Sequence, residues 1–315
     1  MDWISPRSLK RLGMLNMNRR NVDYIARYNE RSSYPLVDNK LKTKLVVAEY
    51  GVKTPKLLQV VRQQHEISRF REMAEDLAGF AIKPAKGSGG KGITVITGRD
   101  GEEYIKASGS RVDSSFLERH LTNILAGLYS LAGTPDVAIV ENLVESAPSL
   151  AKYSHQGVPD IRIIVFQGYP VMAMLRLATT ASDGKANLHQ GAVGVGLDIG
   201  SGRSLNAVQF NRPITLHPDT GLALENIQIE AWDEMLEMAS RCFEATGLGY
   251  MGVDLVVDAN EGPLLLELNA RPGLAIQMAN GRGLLPRLRT VESLKRPHFT
   301  PQERSRFAME TFASF

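Results

Sequence analysis

Cysteine is nearly absent from this chain: the single thiol, Cys242, excludes an intramolecular disulfide and suits a reducing compartment. Its place on an apolar helical face marks it as a core residue rather than a nucleophile. Long apolar runs are lacking too. No stretch nears the roughly 18 residues of a membrane span. The first residues, with Trp3, Pro6, Arg7, Lys10 and Arg11, do not form the apolar run of a secretion signal, so a cytoplasmic location is expected. Metal-ligand spacing is missing among the histidines; His120, His189 and His217 stand singly and are expected to be satisfied or exposed. There is no internal repeat, no recognised nucleic-acid motif and no aromatic stacking series, so nucleic acid is not an expected partner. The His-Arg-Asp and Asp-Phe-Gly triplets of a protein kinase are absent as well.

What remains is an ordinary globular composition. The 315 residues are 43% hydrophobic and 23% charged, enough for a large core and for two or more subdomains. The net charge of +3 conceals an asymmetry, because residues 1–44 hold ten Lys and Arg against four acids. A solvated face is the simpler reading of that surplus; nucleic acid, anionic lipid or an acidic substrate are the partners it would otherwise suit. Tyr24, Ile25 and Tyr28 at helical spacing give this segment an apolar stripe. The stripe predicts packing across the rest of the chain or onto a second copy, and a homo-oligomer is left open.

The order of elements is alternating α and β. Asn39-Lys40 opens a helix closed by Gly51 and Pro55, and a second helix is expected from Gln64 to Leu77. Ser115-Phe-Leu-Glu118 has capping-box spacing before a helix running to about Leu131. Strands are expected at 137–140, 161–166 and 171–175, the last two joined by a turn over Gln167-Gly168-Tyr169-Pro170. Trp232, Met235, Leu236, Ala239, Cys242 and Phe243 fall at helical spacing, and Thr300-Pro301-Gln-Glu303 starts a terminal helix.

Two features carry chemistry. The first is Lys83-Pro-Ala-Lys86-Gly87-Ser88-Gly89-Gly90-Lys91-Gly92, held between two strand-like runs. Glycines let backbone N–H groups approach an anion, and lysines supply the charge that a triphosphate needs. A dinucleotide fingerprint would need a helix after the loop, where Ile93-Thr94-Val95-Ile96 is β-branched. A Walker A loop would need Ser or Thr after Lys91, where Gly92 stands. A hairpin loop over nucleotide phosphates survives, with a plain surface turn as its alternative. The second feature is a pair of apolar strands, 251–257 and 264–268. If their hairpin turns about Asn260 and Glu261, residues whose numbers sum to 521 stand opposite, which sets Asp254 against Glu267. Glu267 and Asn269 share a strand face, while Leu255, Leu266 and Leu268 face the other way into core. Three hard oxygen side chains then suit Mg²⁺, or Mn²⁺ in its place, with phosphates completing the shell. Carboxylates at the wet end of a sheet are the bland alternative.

Together these segments, with Val140-Glu141-Asn142-Leu143-Val144, Asp160-Ile-Arg162 and Asn187-Leu-His189, resemble the ATP-grasp fold, and within it the RimK-like α-L-glutamate ligases. The resemblance runs from about Asn39 to Leu285. It implies an α+β (α/β) architecture of two subdomains gripping ATP, with a short N-terminal segment in place of the usual preceding domain. The boundaries it implies are a basic segment 1–38, a lid subdomain 39–135, a metal-binding subdomain 136–290 and a tail 291–315. Nucleotide binding would fall to Lys40, Lys83, the loop Gly87, Ser88, Gly89, Gly90, Lys91 and Gly92, Glu141, and the hinge Asn142 and Leu143, whose backbone would hold adenine. Asp160, or in its place Glu145, would meet the ribose, and Lys185 with Asn187 would reach the phosphates from a second loop. Asp254, Glu267 and Asn269 match the metal ligands. Arg162, Arg176 and Arg271 are the catalytic candidates, each with an ion pair on the sheet as its alternative. The implied activity is an ATP- and Mg²⁺-dependent carboxylate–amine ligase acting on an amino acid or peptide, glutamate among them. An ATP-grasp phosphotransferase and a silent nucleotide-binding regulator are the other readings.

Overall fold

β-Branched and aromatic runs bounded by turns build two antiparallel sheets. The structure is a computed structural model that describes residues 5–87, 89–130, 133–297 and 300–314. The smaller sheet contains β1 (Leu57–Val61), β2 (Phe80–Pro84), β3 (Thr94–Asp100), β4 (Glu103–Lys106), β5 (Arg111–Val112) and β6 (Ala138–Asn142). Their spatial order is β1-β6-β2-β3-β4-β5. Residues 138–142, assigned on sequence to the second subdomain, therefore lie between β1 and β2 and pair with both. Such non-local pairing leaves no trace in local periodicity.

Helices Ile67–Glu75 and Ser114–Leu125 pack on each other and on this sheet. They bury Phe70, Ala74, Leu117, Leu121 and Ile124 against Val61, Phe80 and Ile82. The helix expected from Gln64 begins as a 3₁₀ turn, Gln64–Glu66, fixed by a capping box between Gln63 and Glu66. The next helix starts earlier than its Ser115 signal suggests. Asp113 is the cap, accepting from the Phe116 N–H at 2.8 Å and from the Ser115 hydroxyl at 3.0 Å. That helix ends at Leu125; Leu131, its expected end, lies outside the described residues.

The larger sheet contains β7 (Asp160–Phe166), β8 (Tyr169–Leu177), β9 (Val193–Leu197), β10 (Ser204–Gln209), β11 (Arg212–Ile214), β12 (Tyr250–Asp258) and β13 (Gly262–Asn269). The order is β11-β10-β9-β8-β7-β12-β13. Gln167 and Gly168, at φ +48° and +81°, make a two-residue turn between β7 and β8. Two left-handed residues match the strand twist, so Tyr169 and Pro170 belong to β8 and not to the turn. Every residue of β8 and β12 is buried, which requires cover on both faces. Helices Trp232–Thr246 and Pro301–Phe312 supply part of it, packing on each other and on β8. Trp232, Met235, Leu236, Ala239 and Cys242 enter the core as their spacing predicts, and burial pushes the Cys242 thiol far above its ordinary pKa.

The N-terminal stripe docks on this core in the same chain. Tyr24 meets Phe166 edge-on at 5.5 Å between ring centroids, and Arg20 donates to the Pro272 carbonyl at 2.7 Å. Asn29 bonds the Tyr250 backbone twice, through its Nδ2 and Oδ1, each at 2.7 Å. No helix among the described residues is long and apolar enough to cross a membrane.

Candidate functional site

The helix Lys40–Glu49 begins at Asn39, whose side chain accepts from the Lys42 N–H at 3.0 Å. Starting there, it places Lys40 and Lys44 one turn apart on one face. Lys44 Nζ lies 2.9 Å from one oxygen of Glu141 on β6, and Lys83 Nζ on β2 lies 2.6 Å from the other. Lys44 also donates to Thr54 Oγ1 at 2.9 Å and to the Pro55 carbonyl. Glu141 is only 4% exposed. Burial opposes its charge, but Lys83 and Lys44 outweigh it and hold the carboxyl below its ordinary pKa. Lys40 bridges the two sheets: Nζ donates to the Gly87 carbonyl at 2.6 Å and lies 3.5 Å from Glu267 Oε2. Lys40, Lys44, Lys83 and Glu141 line one cleft with Leu265 and Leu266. Lys44 was not among the sequence candidates, and its i, i+4 relation to Lys40 was the signal for it.

The β12–β13 register explains the other wall. Near the turn, pairs such as Val256↔Leu264 and Asp258↔Gly262 sum to 520. A bulge at Leu266 then adds one residue, and Asp254↔Glu267 and Gly252↔Asn269 sum to 521. Asp254 thus stands opposite Glu267 as expected, although the turn is displaced. Leu266 does not face the core; the bulge leaves it half-buried in the cleft wall.

Asp254 is tied up by neighbours. Arg162 Nε and Nη2 donate to its two oxygens at 2.7 and 2.5 Å, Arg176 Nη2 to Oδ2 at 2.9 Å, and Asn269 Nδ2 to Oδ2 at 3.2 Å. Arg176 also forks onto Asp160, donating from Nη2 at 2.6 Å and from Nε. Burial opposes the charge of Asp254, but Arg162 and Arg176 outweigh it and hold the acid well below the ordinary range. Burial pushes Asp160 the other way, up to about 6, against the pull of Arg176. Asp160 is thereby committed to a buried ion cluster, whereas Glu145, its alternative for a ribose, is exposed. Arg176 is buried too, and Arg162 keeps 14% of its side chain exposed. Arg271 stands apart from both, over the Tyr34 ring at 5.0 Å.

A divalent cation would find the Glu267 carboxylate, the Asn269 Oδ1 that the amide's bond to Asp254 leaves free, and one remaining acceptor position on Asp254 Oδ1. Among the described residues no group of three or more His, Cys, Asp or Glu forms a self-sufficient metal cage. This oxygen set fits an ion that takes few protein ligands and completes its shell with phosphates and water.

Gly89 and Gly90 have φ of +62° and +74° and open space around them, and they and Lys91 are exposed. Gly92, at φ +75°, lies so close to Tyr129 that a Cβ would sit 2.5 Å from the ring. His120 fixes this end, its Nε2 2.9 Å from the Gly92 carbonyl oxygen and 3.1 Å from Thr94 Oγ1. Ser88 lies outside the described residues. The loop with Lys185 and Asn187 differs. Lys185 pairs with Asp183 at 3.0 Å, and Asn187 accepts from the His189 N–H at 3.0 Å. Both are engaged within their own segment and not with the cleft. Leu143 packs against Gly79, where a Cβ would lie 2.9 Å from the leucine side chain.

A lysine-lined cleft between two antiparallel sheets, a glycine hairpin on one and paired acid and amide side chains on the other, agrees with a family model. The sugar-transfer associated ATP-grasp model matches residues 19–293. The chain belongs to that ATP-grasp family. No curated protein matches it. Among solved structures it is similar to the D-alanyl-alanine synthetase A of Vibrio cholerae, with 11% identity and a TM-score of 0.50 over 90% of this chain and 67% of that one. It is also similar to the ATP-grasp ligase PsnB complexed with its minimal precursor, at 15% identity and a TM-score of 0.44, covering 83% of this chain and 60% of that one. A third is the VanG D-Ala:D-Ser ligase of Enterococcus faecalis, at 14% identity and a TM-score of 0.45, covering 90% and 64%. The chain thus spans about three fifths of the length of PsnB. At such identities the likeness concerns the fold.

Proposed function

We propose that this protein is an ATP-dependent ligase that joins a carboxylate to an amine through an acyl phosphate, releasing ADP and phosphate. One observation carries the reading: Lys44 and Lys83 share the buried carboxylate of Glu141, and Lys40 in the same cleft reaches Glu267, so three lysines meet two carboxylates. A polyphosphate supplies the negative charge that this arrangement lacks. Lys83 and Lys44 meet the nucleotide's phosphates, Lys40 ties the glycine loop to Glu267, and the glycine loop closes over the phosphate tail and excludes water. Asn142 and Leu143 line the adenine, Glu141 orients the two lysines, and Glu145 is better disposed to the ribose than Asp160. Magnesium held by Glu267, Asn269 and Asp254 would offset the charge developing on the transferring phosphoryl group; manganese suits the same oxygens. Arg162, at the edge of the ion cluster, stabilises the oxyanion formed on amine attack, and Arg176 positions it through Asp254. Arg271, Lys185 and Asn187 take no part in the chemistry in this reading.

The substrate is an amino acid or peptide in this reading, with glutamate suggested by the order of motifs. The family's association with sugar transfer adds amino sugars and sugar acids to the set worth trying. The test is a screen of carboxylate and amine pairs with ATP and Mg²⁺, following nucleotide and product by mass spectrometry. ADP formed in step with an amide supports the proposal. AMP would overturn the acyl phosphate, and a phosphorylated substrate that persists with every amine would make the protein a phosphotransferase.

A further inference from the structure

Two segments far apart in sequence lie side by side on the surface. The Gly283 N–H donates to the Leu12 carbonyl at 2.9 Å, the Leu285 N–H to the Gly13 carbonyl at 3.1 Å, and the Tyr28 hydroxyl to Glu292 at 2.7 Å. Residues 5–31 hold seven Lys and Arg against two acids, and residues 282–296 hold five against one. The pair therefore carries nine net positive charges in a chain whose total is +3, so the rest of the molecule is net acidic. Arg20 and Arg287 turn inward onto backbone carbonyls. Arg7, Lys10, Arg11 and Arg289 are exposed and find no ion pair among the described residues.

Apolar side chains stand among these charges. Leu9, Leu12, Met17 and Val22 are 37%, 46%, 63% and 67% exposed, and they are four of the eleven large hydrophobic residues that the described chain exposes. Charge repulsion alone would keep such a face wet, and polar neighbours would serve that end better than leucine and valine. A nucleic acid would engage the basic groups without needing these side chains, and the aromatic residues of the segment, Tyr24 and Tyr28, are turned into the core or half-buried rather than offered for stacking. We propose that this face is a peripheral docking surface for an anionic lipid bilayer. Arg7, Lys10, Arg11 and Arg289 meet headgroup phosphates, and Leu9, Leu12, Met17 and Val22 enter the acyl boundary. The surface uses none of the cleft residues and does not depend on the ligase reading.

The test is sedimentation of the full chain with vesicles of phosphatidylcholine alone or mixed with phosphatidylglycerol. Binding to the anionic vesicles, weakened by salt and absent with the neutral ones, is expected. Joint replacement Arg7→Gln, Lys10→Gln and Arg11→Gln should weaken partitioning about 100-fold. Leu12→Ser with Val22→Ser should weaken it further at unchanged salt dependence. All five side chains are exposed, so thermal midpoint and ATP affinity should match the parent. No sedimentation, or equal sedimentation with both vesicles, overturns the proposal. So does a duplex oligonucleotide bound in a manner that ignores the two serine substitutions, which assigns the face to nucleic acid. A dimer in solution that the same substitutions dissolve assigns it to a second copy and overturns the proposal equally.

Discussion

Two charge clusters of the molecule, one within the larger sheet and one in the cleft, differ in balance. Arg162 and Arg176 with Asp160 and Asp254 sum to zero, and their forked hydrogen bonds satisfy one another. Lys40, Lys44 and Lys83 with Glu141 leave positive charge unmet, apart from the 3.5 Å approach of Lys40 to Glu267. The balanced cluster sits inside β7, β8 and β12, where any unpaired charge would be costly, and it holds Asp254, Asn269 and the bulged strand in place. The unbalanced one lines the gap between the sheets, where an anionic ligand can complete it. In the proposed reading the unbalanced cluster is the one a ligand completes, while the balanced one holds its members in place, although both set lysine or arginine against carboxylate.

The largest effect should come from breaking the balanced cluster. Arg176→Met leaves Asp160 without its fork and Asp254 with one guanidinium, and should lower unfolding stability by about 3–5 kcal/mol. Lys83→Met leaves Glu141 still paired with Lys44 and should cost only about 1–2 kcal/mol. Denaturant midpoints of the two variants measure the contrast; equal losses would erase it. Next in size is the glycine loop. Gly92→Ala forces a left-handed alanine against the Tyr129 ring and should cost about 1–3 kcal/mol. Gly90→Ala meets open space and should cost only about 1 kcal/mol. Thermal melts that rank them the other way would contradict the packing of Tyr129.

The smallest effect concerns acid. Glu141 has its folded pKa below the ordinary value of 4.5, so its contribution to stability is present above that pH and is lost as pH falls through the folded value. Lys83→Met removes one of the two ammonium groups and raises the folded value, so the acid loss should begin at a higher pH. Denaturant midpoints at pH 3 to 6 would show this as a shifted acid limb, and superimposed limbs would mean that Lys83 and Glu141 do not interact in solution.

Much of the site was legible because it rests on short-range rules. Strand alternation put Glu267 and Asn269 on one face, and Lys83 with its glycines stood out by composition; Asp254 came to stand opposite Glu267 only through the bulge. The bulge at Leu266 was not legible, since one inserted residue in a run of leucines changes the register without changing the pattern. Asp113 displaced Ser115 as a cap because either side chain can accept the bond, and only the chain's entry angle decides. The pairing of Asp254 with Arg162 was hidden for a different reason. Ion pairs between neighbouring strands depend on which strands are neighbours, and β7 joins β12 across a separation of more than eighty residues. The place of β6 in the smaller sheet was obscured in the same way.

In the function proposed above, the lysine surplus of the cleft holds nucleotide phosphates. Calorimetric titration of the full chain with ATP, with and without Mg²⁺, and of Lys83→Met alongside it, tests this most directly. Magnesium-enhanced binding that weakens with salt is expected, with a loss of about ten- to hundredfold in Lys83→Met, whose fold survives. Binding that is indifferent to magnesium and unchanged by Lys83→Met would contradict it.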